Sequence, residues 1–421
     1  MSETSKIAAV PDKAPDRAQD RKARIMDRAA ELIVQHGFER VTLDQIAADA
    51  RVGKQAIYES FESKEDLFRA VVLAEMRRPA IGSPIFDGDV QAALEDYGAV
   101  VFDAYLAPRS IGLQRANIVL TRRRPAIAAA LHAQRRDAAR NLVDYLAGEA
   151  AKGRVAEFGA EALDIATRLG GTITEGSRYF LGCDLPGARE RKQQIGFCVS
   201  LYLRGCLNIE KTWAERAPVY QPIGSGDAAN VQMRLRRDRF EALWAAAVES
   251  FLEFGYDGVN IDSLIETSGV SRATIYRQFG NKEGLFRRVI GAEIDAIAES
   301  QLEAPVASDL EESLTSLARA ALDSHLEMRA LDLHILLIEN AAIFPDLARA
   351  FYDAQILRLS RPLEAAFSAA GAPPPAPALV RVFHTLATFG LRFISGPGRA
   401  TRAERDALSR QAARIMARGI G

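Results

Sequence analysis

The chain holds little that suits metal, redox or membrane chemistry. Among 421 residues there are three cysteines, five histidines and two tryptophans, and aromatic residues make up only 7%. Cys183, Cys198 and Cys206 are odd in number, lack CxxC spacing and sit among apolar neighbours, so they read as reduced core residues. No HExxH motif and no Cys/His cluster occurs, which leaves no metal and no cofactor expected. Long hydrophobic runs are missing too. Stretches such as Ile335 to Ile338 or Phe197 to Leu203 fall far short of the roughly 20 residues that cross a bilayer. The first twenty residues carry Lys6, Asp12, Lys13, Asp16 and Arg17 with Pro11 and Pro15, and no signal peptide is read there. The expectation is a cytoplasmic protein without a membrane partner.

Excess charge is absent as well. A net charge of -1 argues against a protein that coats DNA without regard to sequence, although a specific reader is neutral overall when its cations are sorted onto one face. GxSxG, Walker A and GxGxxG before a strand are all lacking, as are paired carboxylates in a recognisable setting. The chain is therefore read as a non-enzyme.

What is present is a repeat. The composition, 48% hydrophobic and 26% charged, favours helix, and the length exceeds what one core ordinarily serves. A shift of 218 residues aligns Gly37 with Gly255, Val41 with Val259, Asp44 with Asp262 and Val52 with Val270. Ile57, Tyr58, Phe61, Lys64, Glu65, Leu67, Phe68 and Arg69 then recur without a gap as Ile275, Tyr276, Phe279, Lys282, Glu283, Leu285, Phe286 and Arg287. Each copy opens with apolar residues at three- and four-residue spacing, Ile25, Ala29, Leu32 and Ile33 against Leu243, Ala247, Val248 and Phe251. Gly37 and Gly255 are read as left-handed C-caps. Thr42 with Gln45 forms a capping-box pattern, and Asn260 heads the corresponding helix. A tight turn, Ala50 to Gly53 or Ser268 to Ser271, leads to a third helix, and Ser63 or Asn281 caps a fourth. Two helix-turn-helix motifs result.

The second copy's GVSRATIYRQFGNKEGLF resembles the signature of the TetR/AcrR family almost throughout, and the first copy's RVGKQAIYESFESKEDLF is similar with departures. The resemblance covers about 55 residues of each half. It implies an all-α fold of two tandem TetR-like units, each a three-helix DNA-binding domain followed by a helical ligand-binding and dimerisation domain. The expected organisation is a disordered tail over 1–20, DNA-binding domains over 21–78 and 233–290, helical regulatory domains over 79–216 and 291–421, and a linker over 217–232 that is rich in Pro and Gly. Function follows as a sequence-specific transcriptional regulator, a repressor in the family's usual mode, released by a small-molecule effector.

The second helix of such a motif enters the major groove with its N-terminal residues toward base edges. Those are Lys54, Gln55 and Ala56 in the first copy and Arg272, Ala273 and Thr274 in the second. Arg or Lys suits guanine, Gln adenine, and a Thr methyl thymine. Tyr58, Tyr276, Lys64 and Lys282 suit phosphate contacts. With Thr42, Asn260 and Ser271 at helix starts, these form the candidate DNA-binding set. Arg21, Lys22 and Arg24, and likewise Arg236, Arg237 and Arg239, add positive charge before each copy's first helix. Arg51 at a turn position held by Gly269, Gly53 in place of Ser271, and Glu59 opposite Arg277 mark the first copy as the weaker reader. The alternative is a ligand sensor or interaction protein in which only the second motif is competent for DNA.

Family members pair as homodimers, whereas one chain here carries both units. The expected partners are a double-stranded DNA operator and a small-molecule effector, in an intramolecular pseudo-dimer with a homodimer as the other arrangement. The effector's contacts are not legible. Tyr97, Tyr105, Arg178, His334 and His384 are polar residues on apolar stretches, and each alone reads as an ordinary surface or core residue.

Overall fold

The computed structural model describes residues 17–77, 86, 89–123, 129, 132–133, 136–137, 139–208, 220–223, 237–390, 392–395 and 400–421. Every regular element among them is helical, and the fold is all-α as expected. The chain divides into two compact units, Met1–Glu75 and Met76–Gly421.

The first unit holds α1 (Arg17–His36), α2 (Leu43–Asp49), α3 (Lys54–Tyr58) and most of α4 (Lys64–Arg77). Ile25, Ala29 and Ile33 line the inner face of α1, where Ala30 is also buried and Leu32 is only half-buried. They meet Ile46, Ile57 and Phe68, and the Phe38 and Phe68 rings pack at 5.0 Å. Gly37 at φ 78 ends α1 by donating from its N–H to Ile33 O at 2.8 Å. The Thr42 capping box is complete: Thr42 Oγ1 accepts from Gln45 N at 3.2 Å and Gln45 Oε1 accepts from Thr42 N at 2.7 Å. Residues 1–16 of the expected tail lie outside the described residues, and α1 begins at Arg17.

The second unit begins with α5 (Val90–Leu106), α6 (Pro108–Arg123), α7 (Arg140–Ala151), α8 (Ala162–Ile173) and α9 (Ala188–Arg204). The second repeat follows as α10 (Arg237–Gly258), α11 (Ile261–Ser268), α12 (Arg272–Phe279), α13 (Lys282–Glu299), α14 (Leu310–His325), α15 (Met328–Asn340), α16 (Pro345–Ala369), α17 (Pro377–Thr388), α18 (Arg392–Ser395) and α19 (Arg402–Arg418). Gly255 interrupts α10 at φ 72, ψ 174, so it has the positive φ expected of a left-handed cap but an extended ψ, and it is not one. A helix runs unbroken through the expected border at 290/291, because α13 carries buried Val289, Ile290 and Ile294 on one face. Of the expected linker only 220–223 are described. There the Tyr220 hydroxyl donates to Asp295 Oδ1, which also accepts from Ile223 N at 2.9 Å.

Across the second unit the two halves meet through like elements. α6 packs on α15, α8 on α17 and α9 on α19. Equivalent positions in these last helices are 214 residues apart: Gly205 at φ 72 matches Gly419 at φ 74, and Gly176 at φ 57 matches Gly390 at φ 54. The contacts are reciprocal. A Cβ on Gly205 would lie 2.4 Å from Ala417 O, and one on Gly419 would lie 2.5 Å from the Leu203 carbonyl carbon. A Cβ on Gly176 would sit 3.2 Å from Gly390 Cα, and one on Gly390 3.5 Å from Gly176 Cα. Such self-complementarity is the mark of a two-fold interface.

Charge is buried along the same seam. Arg168 of α8 donates to Leu386 O at 2.8 Å and Leu408 O at 3.2 Å, carbonyls of the other half. Burial lowers its pKa to about 10, which still leaves it cationic at neutral pH. Glu175 pairs with Arg178 at 2.8 Å and with Arg381 of the other half at 3.4 Å. The last residues complete the seam, with Ile420 N donating to Tyr202 O at 2.6 Å and Gly421 N to Leu203 O at 2.9 Å. Cys198 is fully buried, while Cys183 and Cys206 are half-buried, and all three are free. No described helix is long and apolar enough to cross a membrane.

The seam generates a prediction. Gly205→Ala combines a left-handed backbone with a clash against a backbone carbonyl, and it should lower the urea-unfolding stability of the full chain by about 2 kcal/mol or more. An unchanged midpoint and slope would show that the two halves do not approach as closely as this at the end of α9.

Candidate nucleic-acid interface

Each reading helix is fixed from below by one buried isoleucine, Ile57 in α3 and Ile275 in α12. With that face committed to the core, the opposite face of each helix is open to solvent. Lys54 and Gln55 are exposed and Ala56 half-buried, while Arg272 is exposed and Thr274 half-buried. Tyr58 is 53% exposed and Tyr276 43%. Large aromatic surface in the same place in both copies is not core packing, and a phenol that stands out on the same short helix as an exposed cation suits a phosphate.

The helix starts differ between copies. Ser271 caps α12, accepting from Thr274 N at 3.3 Å, and its Oγ lies 2.9 Å from Thr274 Oγ1. Gly53 caps α3 without a side chain. α3 spans five residues and α12 eight. In the turn before α3, Arg51 adopts φ 54, where the second copy has Gly269 at φ 65. A side chain at such a φ costs about 1–2 kcal/mol. Asn260 accepts from Asp262 N at 2.9 Å, so both Asn260 and Thr42 spend their side chains on capping.

The structure adds a pairing that the sequence reading passed over. Lys54 Nζ lies 3.0 Å from Asp44 Oδ2, and Arg272 pairs with Asp262 in the same register of the second copy. The Asp44 carboxylate holds the Lys54 ammonium above its ordinary pKa, chiefly by the hydrogen bond. Both exposed cations, Lys54 and Arg272, are thus tethered by an exposed carboxylate from the preceding helix. The signal was visible as the recurrence of Asp44 at Asp262, but the ten-residue spacing crosses a turn and matches no helical period.

Lys64 and Lys282 are more deeply engaged than their assignment to phosphate suggested. Lys64 Nζ lies 4.2 Å from the centre of the Phe38 ring and donates to Glu39 O at 3.4 Å. Lys282 Nζ lies 5.0 Å from the Tyr256 ring centre and donates to Asp257 O at 3.0 Å. Desolvation lowers the pKa of both. Lys64 pins the fourth helix of its motif to the loop after α1, and Lys282 pins its own to the last turn of α10 past Gly255. Glu59 is paired with Arg21 at 3.0 Å, so one of the first copy's N-terminal cations answers its added carboxylate. Arg24 Nε donates to Ala50 O at 3.0 Å. Arg236 lies outside the described residues.

Residues 25–71 and 243–289 each match the family of bacterial regulatory proteins, tetR family. Among curated proteins, the HTH-type transcriptional repressor SCO4008 of Streptomyces coelicolor is 36% identical over 81 residues, 18% of this chain and 42% of that protein. The chain therefore spans less than half the length of that repressor. The uncharacterized HTH-type transcriptional regulator TtgW of Pseudomonas putida is 33% identical over 93 residues, 22% of this chain and 69% of that protein. Among solved structures, a TetR transcriptional regulator from Agrobacterium tumefaciens aligns at 23% identity over 42% of this chain and 92% of its own, with a TM-score of 0.36.

Two measurements follow from the differences between copies. Arg51→Gly should raise hydrogen-exchange protection of α2 and α3 by about 0.5–1 kcal/mol, the relief of positive φ less the added chain entropy of glycine; reduced protection would mean that the arginine side chain holds the turn. In gel shifts with the gene's upstream DNA, Tyr276→Ala/Lys282→Ala should weaken binding more than Tyr58→Ala/Lys64→Ala does. The opposite order would make the first motif the stronger reader.

Proposed function

Because the chain belongs to the tetR family of bacterial regulatory proteins, we propose that it is a sequence-specific DNA-binding transcriptional regulator, a repressor released by a small-molecule effector. The observation that carries this reading is the doubled motif: two family-matched segments, each offering an exposed cation and an exposed tyrosine on a reading helix. The residues proposed to meet DNA are Lys54, Gln55, Ala56 and Tyr58 of the first copy, and Arg272, Thr274 and Tyr276 of the second. Thr42, Asn260 and Ser271 preset the helix starts, and Lys64 and Lys282 stand at the backbone corner. Asp44 and Asp262 hold the readers in place until guanine or phosphate exchanges for the carboxylate, an exchange that is cheap because both partners are exposed.

The chain further works as an intramolecular pseudo-dimer. What supports this is the reciprocal packing of α8 and α9 on α17 and α19, which occupies with the chain's own second half the surface a homodimer would use. A linker of roughly 15 residues reaches about 50 Å, and tethering gives the halves an effective concentration of about millimolar. Since Lys54-Gln55-Ala56 differs from Arg272-Ala273-Thr274, the operator has unlike half-sites. The division into two DNA-binding and two regulatory domains, and a cytoplasmic location, go with this reading.

Light scattering coupled to size exclusion, on the protein free and bound to its upstream DNA, tests it. One chain of 45.9 kDa on one operator is expected. Two chains per operator would overturn the pseudo-dimer and favour the alternative in which Arg51 and Glu59 have left only the second motif competent. No DNA binding at all would remove the regulator reading itself.

A further inference from the structure

Helices α13 to α17 of the second repeat enclose a cavity of about 320 Å³, at the lower end of the range for small-molecule sites. Ile297, Leu302, Leu333 and Leu359 give it an apolar wall, and His325, Arg358 and His384 reach it from three different helices. His384 is already engaged, with Nε2 2.9 Å from Gln355 Oε1, so its proton sits on the nitrogen that faces the amide oxygen. His325 Nε2 and Arg358 Nε are buried with no hydrogen-bonding partner among the described residues. His325 is itself only 8% exposed. Polar atoms left in that state are costly unless something fills their valence.

The charge of the occupant is constrained as well. Burial lowers the pKa of His325 to about 4 and of His384 to about 3, and His334, whose ring stands 5.6 Å from that of His325, is held well below its ordinary value. All three imidazoles are neutral at pH 7. Glu293 and Glu327 on the lining are balanced by Arg329 and Arg358, so a charged guest would bring in an uncompensated charge. We propose that this cavity takes an uncharged, largely apolar molecule bearing a hydroxyl, recognised by His325 Nε2 and Arg358 Nε. The oxygen accepts from the Arg358 N–H, and a hydroxyl satisfies His325 Nε2 in either tautomer.

The assignment deepens the effector reading above and rests on it for the consequence of binding. Glu293 and Ile297 belong to α13, which starts at the reading motif, and Arg329 chelates Glu293 at 2.8 and 3.0 Å while reaching Glu249 of α10 at 3.7 Å. An occupant of the cavity therefore bears on both outer helices of the second motif.

Titration calorimetry on the full chain with 1-naphthol, 1-naphthoate and 1-naphthylmethylamine compares one ring system at three charges. The naphthol should bind tightest. His325→Leu should weaken it about tenfold, and His325→Gln, which keeps a donor and an acceptor there, should restore most of the loss. Tighter binding of either charged compound, binding of none, or unchanged affinity in His325→Leu would overturn the proposal, and the wild-type series decides even where a variant fails to fold. A gel shift on the same preparation separates the two readings. DNA binding without naphthol binding removes the cavity assignment alone, whereas naphthol binding without DNA binding leaves the cavity and removes the regulator.

Discussion

The close approach of Gly205 to Ala417, and of Gly419 to Leu203, sets the geometry on which the second unit depends. Both glycines end their helices at positive φ, a conformation a side chain resists, and both would drive a Cβ into the partner half's backbone. Neither requirement would matter alone, since a left-handed cap is common and a small residue at a crossing is ordinary. Together they let the ends of α9 and α19 lie backbone to backbone, close enough for Ile420 and Gly421 to donate to Tyr202 and Leu203. The apolar faces of α8, α9, α17 and α19 then close over one core.

That seam also carries charge, which is informative because buried charge is expensive unless it is answered. Arg168 is answered by two carbonyls and the Phe389 ring, whose centre lies 4.4 Å away. Its partners come from the end of α17, from Phe389 just beyond it and from the middle of α19, not from its own half. Glu175 likewise lies between an arginine of its own half and one of the other. Such groups contribute little net stability. They instead penalise any other pairing of these faces, because separating the halves or shifting their register strands an ion in apolar surroundings. A seam built in this way selects a second half, in this register, as the partner of a first half.

Much of the local fold was legible because the repeat is local. The 218-residue shift exposed the motifs, and Thr42 with Gln45, Ser271, Asn281 and the buried isoleucines behave as their types and spacing require. The later helices were harder to read. Their equivalence runs at 214 residues instead of 218, so a single shift loses register, and their matching positions are glycines at crossings with no motif around them. Arg168 and Glu175 drew no attention in the sequence, because burial of an ion is decided by what another segment brings to it. The turn at Arg51 was legible as a problem, since only a residue without a Cβ enters φ 54 freely, and the chain adopts that φ all the same. Leu32 and Gly255 were read too simply. One is only half-covered, and the other breaks its helix at ψ 174, where Glu339 Oε2 stands 3.1 Å from the place a Cβ would take.

One continuous helix, α13, joins the cavity lining to the second motif. A helix of 18 residues is about 27 Å long at 1.5 Å per residue, and it joins Ile297 to Lys282 as one unbroken element. Lys282 in turn holds the last turn of α10, past the kink at Gly255, through Tyr256 and Asp257. Tyr220 and Ile223 of the connecting segment hold the same rod at Asp295, one turn from the cavity. The rod is thus held at its motif end by one lysine and at its cavity end by the segment that joins the two repeats. α13 thus touches the connection between the halves as well as following the reading helix, while the contacts along α8, α9, α17 and α19 are made by backbone and buried charge.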